Sequence, residues 1–122
     1  MGYERRRAIR INKPLLVKYS RDGSLWDISY VKDFSETGMK ITTSGKCTPG
    51  EFLKFRVRIP LEAAFEWLEF PGKIVDSEAL MAPGGGVVPD TYITRIQISG
   101  IEDDQKGLLR KYIEWFLKEQ GK

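Results

Sequence analysis

The chain has 122 residues and a formal net charge of +3, enough length for one domain that buries a core without staples. No run approaches the roughly 20 apolar residues of a membrane span, the opening residues show no apolar stretch that would predict a secretory signal, and a lone cysteine, Cys47, excludes an intrachain disulfide and fits a reducing cytoplasm. With no histidine, the commonest general base and transition-metal ligand are missing, which argues against an enzyme and excludes a Cys/His zinc site.

The positive charge is local. Residues 1–22 carry seven basic and two acidic side chains, and the remainder carries 13 basic and 15 acidic. A general nucleic-acid binder spreads its basic residues over a face, so no DNA binding is expected. Residues 1–13 read as a flexible basic arm ending before Pro14. It contains Arg5, Arg6, Arg7 and Arg10, whose guanidinium forks suit phosphate oxygens and the O6/N7 edge of guanine.

Beyond the arm, Leu15 to Tyr19 is a short apolar run that predicts a strand, and Arg21-Asp22-Gly23-Ser24 a turn. From Leu25 to Val31, Trp26, Ile28 and Tyr30 alternate with Asp27, Ser29 and Val31, a period of two that suits a half-buried strand. Next comes the polar cluster Asp33-Phe34-Ser35-Glu36-Thr37-Gly38, which offers a carboxylate, a hydroxyl and a glycine that permits positive φ or a close backbone approach. Met39 to Thr43 alternates again, Ser44 to Gly50 reads as a loop, and Phe52 to Ile59 places Phe55, Val57 and Ile59 on one face. Residues 61–70 are ambiguous: Leu61, Ala64, Phe65 and Leu68 have helical spacing, whereas the approach to Gly72-Lys73-Ile74-Val75 looks extended. Ala82 to Asp90, with Gly84-Gly85-Gly86, reads as a mobile hairpin loop, and it lacks the Gly-Lys-Ser/Thr and helix of a phosphate-binding loop. Tyr92 to Ile98 is another strand. The period then changes: Leu108, Leu109, Tyr112, Ile113, Phe116 and Leu117 form one apolar stripe on a helix over about 102–119, with acids in its first turn. Six short strands followed by a helix predict an all-β fold, a small six-stranded antiparallel barrel plus a C-terminal α-helix that plugs an opening or covers a face.

The run Glu4 to Arg10, then a strand, then Asp33-x-Ser35-x-x-Gly38, resembles the PilZ domain, which pairs an RxxxR motif with D/NxSxxG some 20–30 residues later. The resemblance covers nearly the whole chain, as a stand-alone single-domain member with the arm at 1–13 and the barrel with its helix at 14–122. It implies a six-stranded barrel with a C-terminal helix and a receptor for cyclic di-GMP, without catalysis, metal or cofactor. It also implies ligand-binding roles for Arg6 and Arg10 and for Asp33, Ser35 and Gly38, with Arg5, Arg7 and Arg95 as additional contacts. Asp33 suits the N1–H and N2–H₂ donors of guanine. A departure stands at the last strand, where family members show Gly-x-x-Phe and this chain has Arg95 and Ile98. Arg95 is read there as a surface charge, an added phosphate contact or an obstruction. Trp26, Tyr30 and Trp67 are candidates for stacking on guanine or for ordinary packing. Ligand stoichiometry, one or two per chain, stays open, as does the effector, an unidentified protein partner. The alternative is a PilZ-like interaction module with weak or no nucleotide binding.

Overall fold

The computed structural model describes residues 14–35, 37–60, 64–98 and 100–120. The basic arm, with Arg5, Arg6, Arg7 and Arg10, lies outside the described residues, as do Glu36 and Leu61.

Six strands, β1 (Leu15–Ser20), β2 (Asp27–Phe34), β3 (Gly38–Ser44), β4 (Phe52–Pro60), β5 (Phe65–Met81) and β6 (Val87–Ile98), precede one helix, α1 (Asp103–Gln120). All pairings are antiparallel, and the sheet closes in the order β1-β2-β3-β6-β5-β4. Closure leaves no edge to pair with another chain. The alternating pattern of β4 is the clearest case: Leu53, Phe55, Val57 and Ile59 are buried, and Lys54 and Arg58 point to solvent. On α1, Leu109, Tyr112, Ile113 and Phe116 join the barrel interior in a single core cluster, and β4 and β5 are the strands that α1 touches. Asp103 and Asp104 sit in its positive first turn and Lys118 in its last. Gln105 Oε1 ties the helix to the barrel by accepting the Glu69 amide at 2.7 Å.

Three expectations are settled or corrected. The ambiguity over 61–70 resolves to a strand from Phe65 onward, because Leu68, Phe70 and Ile74 bury with a period of two in one 17-residue strand. The glycine loop is shorter than expected. Ala82 to Gly86 closes a tight turn, with the Ala82 amide donating to the Gly86 carbonyl at 2.8 Å, and Val87 to Asp90 already belong to β6. Three consecutive glycines at φ 90, 108 and 81° make that closure possible. In β2 the alternation is present but its apolar members face outward: Ile28 and Tyr30 are 63% and 57% exposed, whereas Val31 is fully buried.

The loop from Ser44 to Gly50 is fastened by buried hydroxyls. The Cys47 amide donates to Ser77 Oγ at 3.1 Å, Ser77 bonds Thr94 Oγ1 at 2.9 Å, Thr94 bonds Thr43 Oγ1 at 2.8 Å, and Thr43 donates to the Gly45 carbonyl at 3.0 Å. The two ends fix the direction of the middle. Thr43 spends its proton on Gly45, so Thr94 donates to Thr43 and Ser77 donates to Thr94, which leaves no hydroxyl proton unused.

Candidate functional site

A regular β2 would point Asp33 into the core, in phase with Ser29 and Val31. A β-bulge prevents this. Val31 pairs with Ile41 but Asp33 pairs with Lys40, so an extra residue is taken up between them. Lys32 and Asp33 both look outward, and Phe34 returns to the interior with no exposed surface. A second bulge in β5, between Ile74 and Asp76, does the same for another carboxylate. Asp76 turns outward, and Ser77 returns to the buried hydroxyl chain.

The two bulges bring four charges onto one rung of the outer wall. By register, Asp33 stands opposite Lys40, Lys40 opposite Arg95, and Arg95 opposite Asp76. Two cations are thus flanked by two carboxylates. Gly38 and Lys73 flank Gln97 on the neighbouring rung. Asp33, Ser35, Gly38, Lys40, Arg95 and Gln97 line a cavity of about 470 Å³, open to solvent, and Val75 forms part of its floor. A second hollow of about 480 Å³ lies where Trp26, Arg56 and Glu69 face the start of α1, but none of the motif residues reaches it.

Arg95 Nε donates to both carboxylate oxygens of Asp76, at 3.0 and 3.1 Å, and Nη2 also contacts Oδ2. This guanidinium holds the Asp76 carboxyl below its ordinary range, with Lys40 adding to the effect, and Asp76 in turn raises Arg95. Arg95 is therefore a paired charge on the rim of the cavity. Ile98, at the usual aromatic position, is buried in the core.

Ser35 builds the turn between β2 and β3. Its amide donates to the Gly38 carbonyl at 2.9 Å, and its nearly buried Oγ lies 3.3 Å from the Thr37 amide, the Thr37 hydroxyl and the Gly38 carbonyl. The Thr37 carbonyl accepts the Ile98 amide at 2.9 Å, which pins the turn to β6. Gly38 is required for proximity and not for a left-handed conformation, since its φ is not positive. A Cβ there would stand 2.9 Å from the Ile96 carbonyl oxygen.

None of the three aromatic candidates lines the cavity. Trp26 lies under the Arg56 guanidinium at 4.4 Å and Trp67 under Lys18 Nζ at 5.0 Å, while Tyr30 is on the outer face of β2. Sequence reasoning missed Asp76, Lys40 and Gln97. No local pattern marks them: Lys40 and Gln97 read as ordinary outward strand positions, and Asp76 joins them only through the cross-strand register and the β5 bulge. No group of residues suited to a metal ion occurs among the described residues, and no described helix is long and apolar enough to cross a membrane.

A family model described as the PilZ domain matches residues 4–115. No curated protein matches the chain at a significant level. Among solved structures, Bacillus subtilis MotI/DgrA, described as an inhibitor of motility, is similar with a TM-score of 0.70 and 18% identity, over 92% of this chain and 51% of that one. The PilZ domain of Escherichia coli YcgR, solved with c-di-GMP, is similar with a TM-score of 0.64 and 14% identity, over 95% and 94%. K. pneumonia MrkH in its c-di-GMP complex gives 0.63 and 11%, over 93% and 53%. The chain thus spans about half the length of MotI/DgrA and MrkH and nearly all of the YcgR domain. At these identities the structural likeness speaks to the fold.

Proposed function

The chain belongs to the PilZ domain family, and on that premise we propose that it is a receptor for cyclic di-GMP that passes its signal to a protein partner. The observation that carries the reading is the outward turn of Asp33 beside the Ser35–Gly38 turn, with Lys40, Arg95 and Gln97 around one open cavity. In this reading Asp33 accepts the N1–H and N2–H₂ donors of guanine, and Gly38 lets the adjoining turn sit close against the Ile96 carbonyl of β6. Ser35 keeps the turn in shape, and Lys40 supplies positive charge for a phosphate. Arg6 and Arg10 bring guanidiniums from the preceding arm to the phosphates or the purine edge, with Arg5 and Arg7 beside them. Ligand binding then orders the arm against the barrel, and the ordered arm creates or hides a surface for the effector. The reading assigns no catalytic step and no cofactor, and an intracellular messenger as ligand puts the chain in the cytoplasm.

Each charge-assisted hydrogen bond contributes about 1.5–3 kcal/mol. Arg6→Ala and Arg10→Ala are therefore expected to weaken cyclic di-GMP binding about tenfold or more while leaving the melting temperature unchanged. Hydrogen exchange over residues 3–12 is expected to slow at saturating ligand. Wild-type affinity in both variants would remove the arm from the site, and unchanged exchange would remove the ordering step.

The pairing of Arg95 with Asp76 on the rim supports a second reading, an interaction module with weak nucleotide binding. Arg95→Gly separates the two. A large gain in affinity would mean that Arg95 obstructs the site and would favour this second reading.

A further inference from the structure

On the side of the barrel away from the Asp33 cavity, the outer wall of β2, β1, β4 and β5 has a different chemistry. By register, Ile28 stands next to Lys18, Lys18 next to Arg56, and Arg58 next to Trp67. Three cations here lie over aromatic rings: Lys18 on Trp67 at 5.0 Å, Arg56 on Trp26 at 4.4 Å and Arg58 on Phe65 at 4.9 Å. Glu69 in the same stretch is already held by Arg56 at 3.0 Å. Around these pairs, Ile28, Tyr30 and Phe65 are 63%, 57% and 52% exposed. Apolar side chains at outward positions of a closed barrel contribute nothing to the core, and grouped with cations they mark an interaction surface.

We propose that this wall docks an acidic protein segment that also carries apolar side chains. Charge complementarity selects the partner. Lys18 and Arg58, each resting on a ring, are held in place with N–H groups left for carboxylates, so less side-chain entropy is lost on binding. The alternative polyanion, a single-stranded nucleic acid, would stack its bases on exposed rings. Trp26, Trp67 and Phe65 already carry the protein's own cations on a face, which disfavours that mode. Ile28 and Tyr30 remain open for apolar side chains of the partner. The inference stands independently of the nucleotide reading, since none of these residues lines the Asp33 cavity.

The test is a two-dimensional amide NMR titration of the full chain with a 20-residue peptide of glutamates interspersed with leucine and phenylalanine. Controls are the same peptide with glutamine for glutamate, oligo(dT) and anionic phosphatidylglycerol vesicles. The expected result is shifts concentrated at residues 16–18, 28–30, 56–58 and 65–67, with the turn at 35–38 unmoved. The acidic peptide should bind at least tenfold more tightly than the glutamine version. Lys18→Glu/Arg58→Glu should abolish the shifts while the melting temperature and any cyclic di-GMP affinity are retained. No shift in this wall, equal shifts with the glutamine peptide, or tighter binding of oligo(dT) or vesicles would overturn the proposal. Loss of cyclic di-GMP binding alone would leave it standing.

Discussion

Two buried tyrosines give opposite predictions for the same substitution. Tyr112 is fully buried between Trp115 and Phe116, and its hydroxyl has no hydrogen-bond partner among the described residues. Tyr19 is also buried, on β1, but its hydroxyl accepts the Ser44 amide at 3.1 Å. Burying a polar group without a partner costs about 1–3 kcal/mol. Tyr112→Phe keeps the ring and removes that cost, less the small void left by one oxygen, so a gain of about 1 kcal/mol is expected. For a chain of this length that is a rise in melting temperature of about 3–4 °C. Tyr19→Phe instead orphans the Ser44 amide, and a loss of about 1 kcal/mol is expected. Thermal and urea unfolding of both variants, read by circular dichroism, give the two signs side by side. A Tyr112→Phe protein less stable than wild type by 1 kcal/mol or more would show that the hydroxyl is satisfied and refute the argument.

Burial raises the pKa of both tyrosines above 10. The folded state therefore keeps protons that the unfolded state gives up, so this part of the stability is complete below about pH 10 and is lost as pH rises through the folded values. Alkaline unfolding should accordingly shift to higher pH in Tyr112→Phe, followed by fluorescence. Thr94→Val breaks the hydroxyl chain at its centre and leaves Ser77 and Thr43 short of a partner in the core. A loss of about 1–3 kcal/mol is expected in urea unfolding. Gly38→Ala forces a Cβ to 2.9 Å from the Ile96 carbonyl. The β2–β3 turn must shift, and a stability loss of about 1–3 kcal/mol is expected along with weaker ligand binding.

The barrel was legible because most of its strands keep a strict period of two against one core. β4 shows it best, since Phe55, Val57 and Ile59 bury as their spacing predicts; the helix follows its own period and buries Leu109, Tyr112, Ile113 and Phe116, while Leu117 at the edge of the expected stripe is exposed. β2 misled because periodicity reports amphipathicity without saying which face is inside. Neighbouring β1 and β3 set that phase, and they place Val31 inward and Ile28 outward. Residues 61–70 were ambiguous because Leu61, Ala64, Phe65 and Leu68 have helical spacing, while Leu68 and Phe70 begin the period of two that continues through Ile74. The motif residues Asp33, Ser35 and Gly38 were visible as a cluster, and the structure brings all three to one cavity. Their partners across the wall, Arg95 and Asp76, depend on pairing between strands that no local pattern encodes. The bulges that turn both carboxylates outward are likewise products of barrel closure.

The central claim is recognition of guanine by Asp33 on an outward bulge. Calorimetric titration of wild type and Asp33→Ala with cyclic di-GMP and cyclic di-AMP tests it most directly. The account predicts micromolar or tighter binding of cyclic di-GMP to wild type, about −8 kcal/mol or more favourable, with cyclic di-AMP at least tenfold weaker and that preference erased in Asp33→Ala. Equal affinity of wild type for the two dinucleotides, or a preference that survives Asp33→Ala, would contradict it.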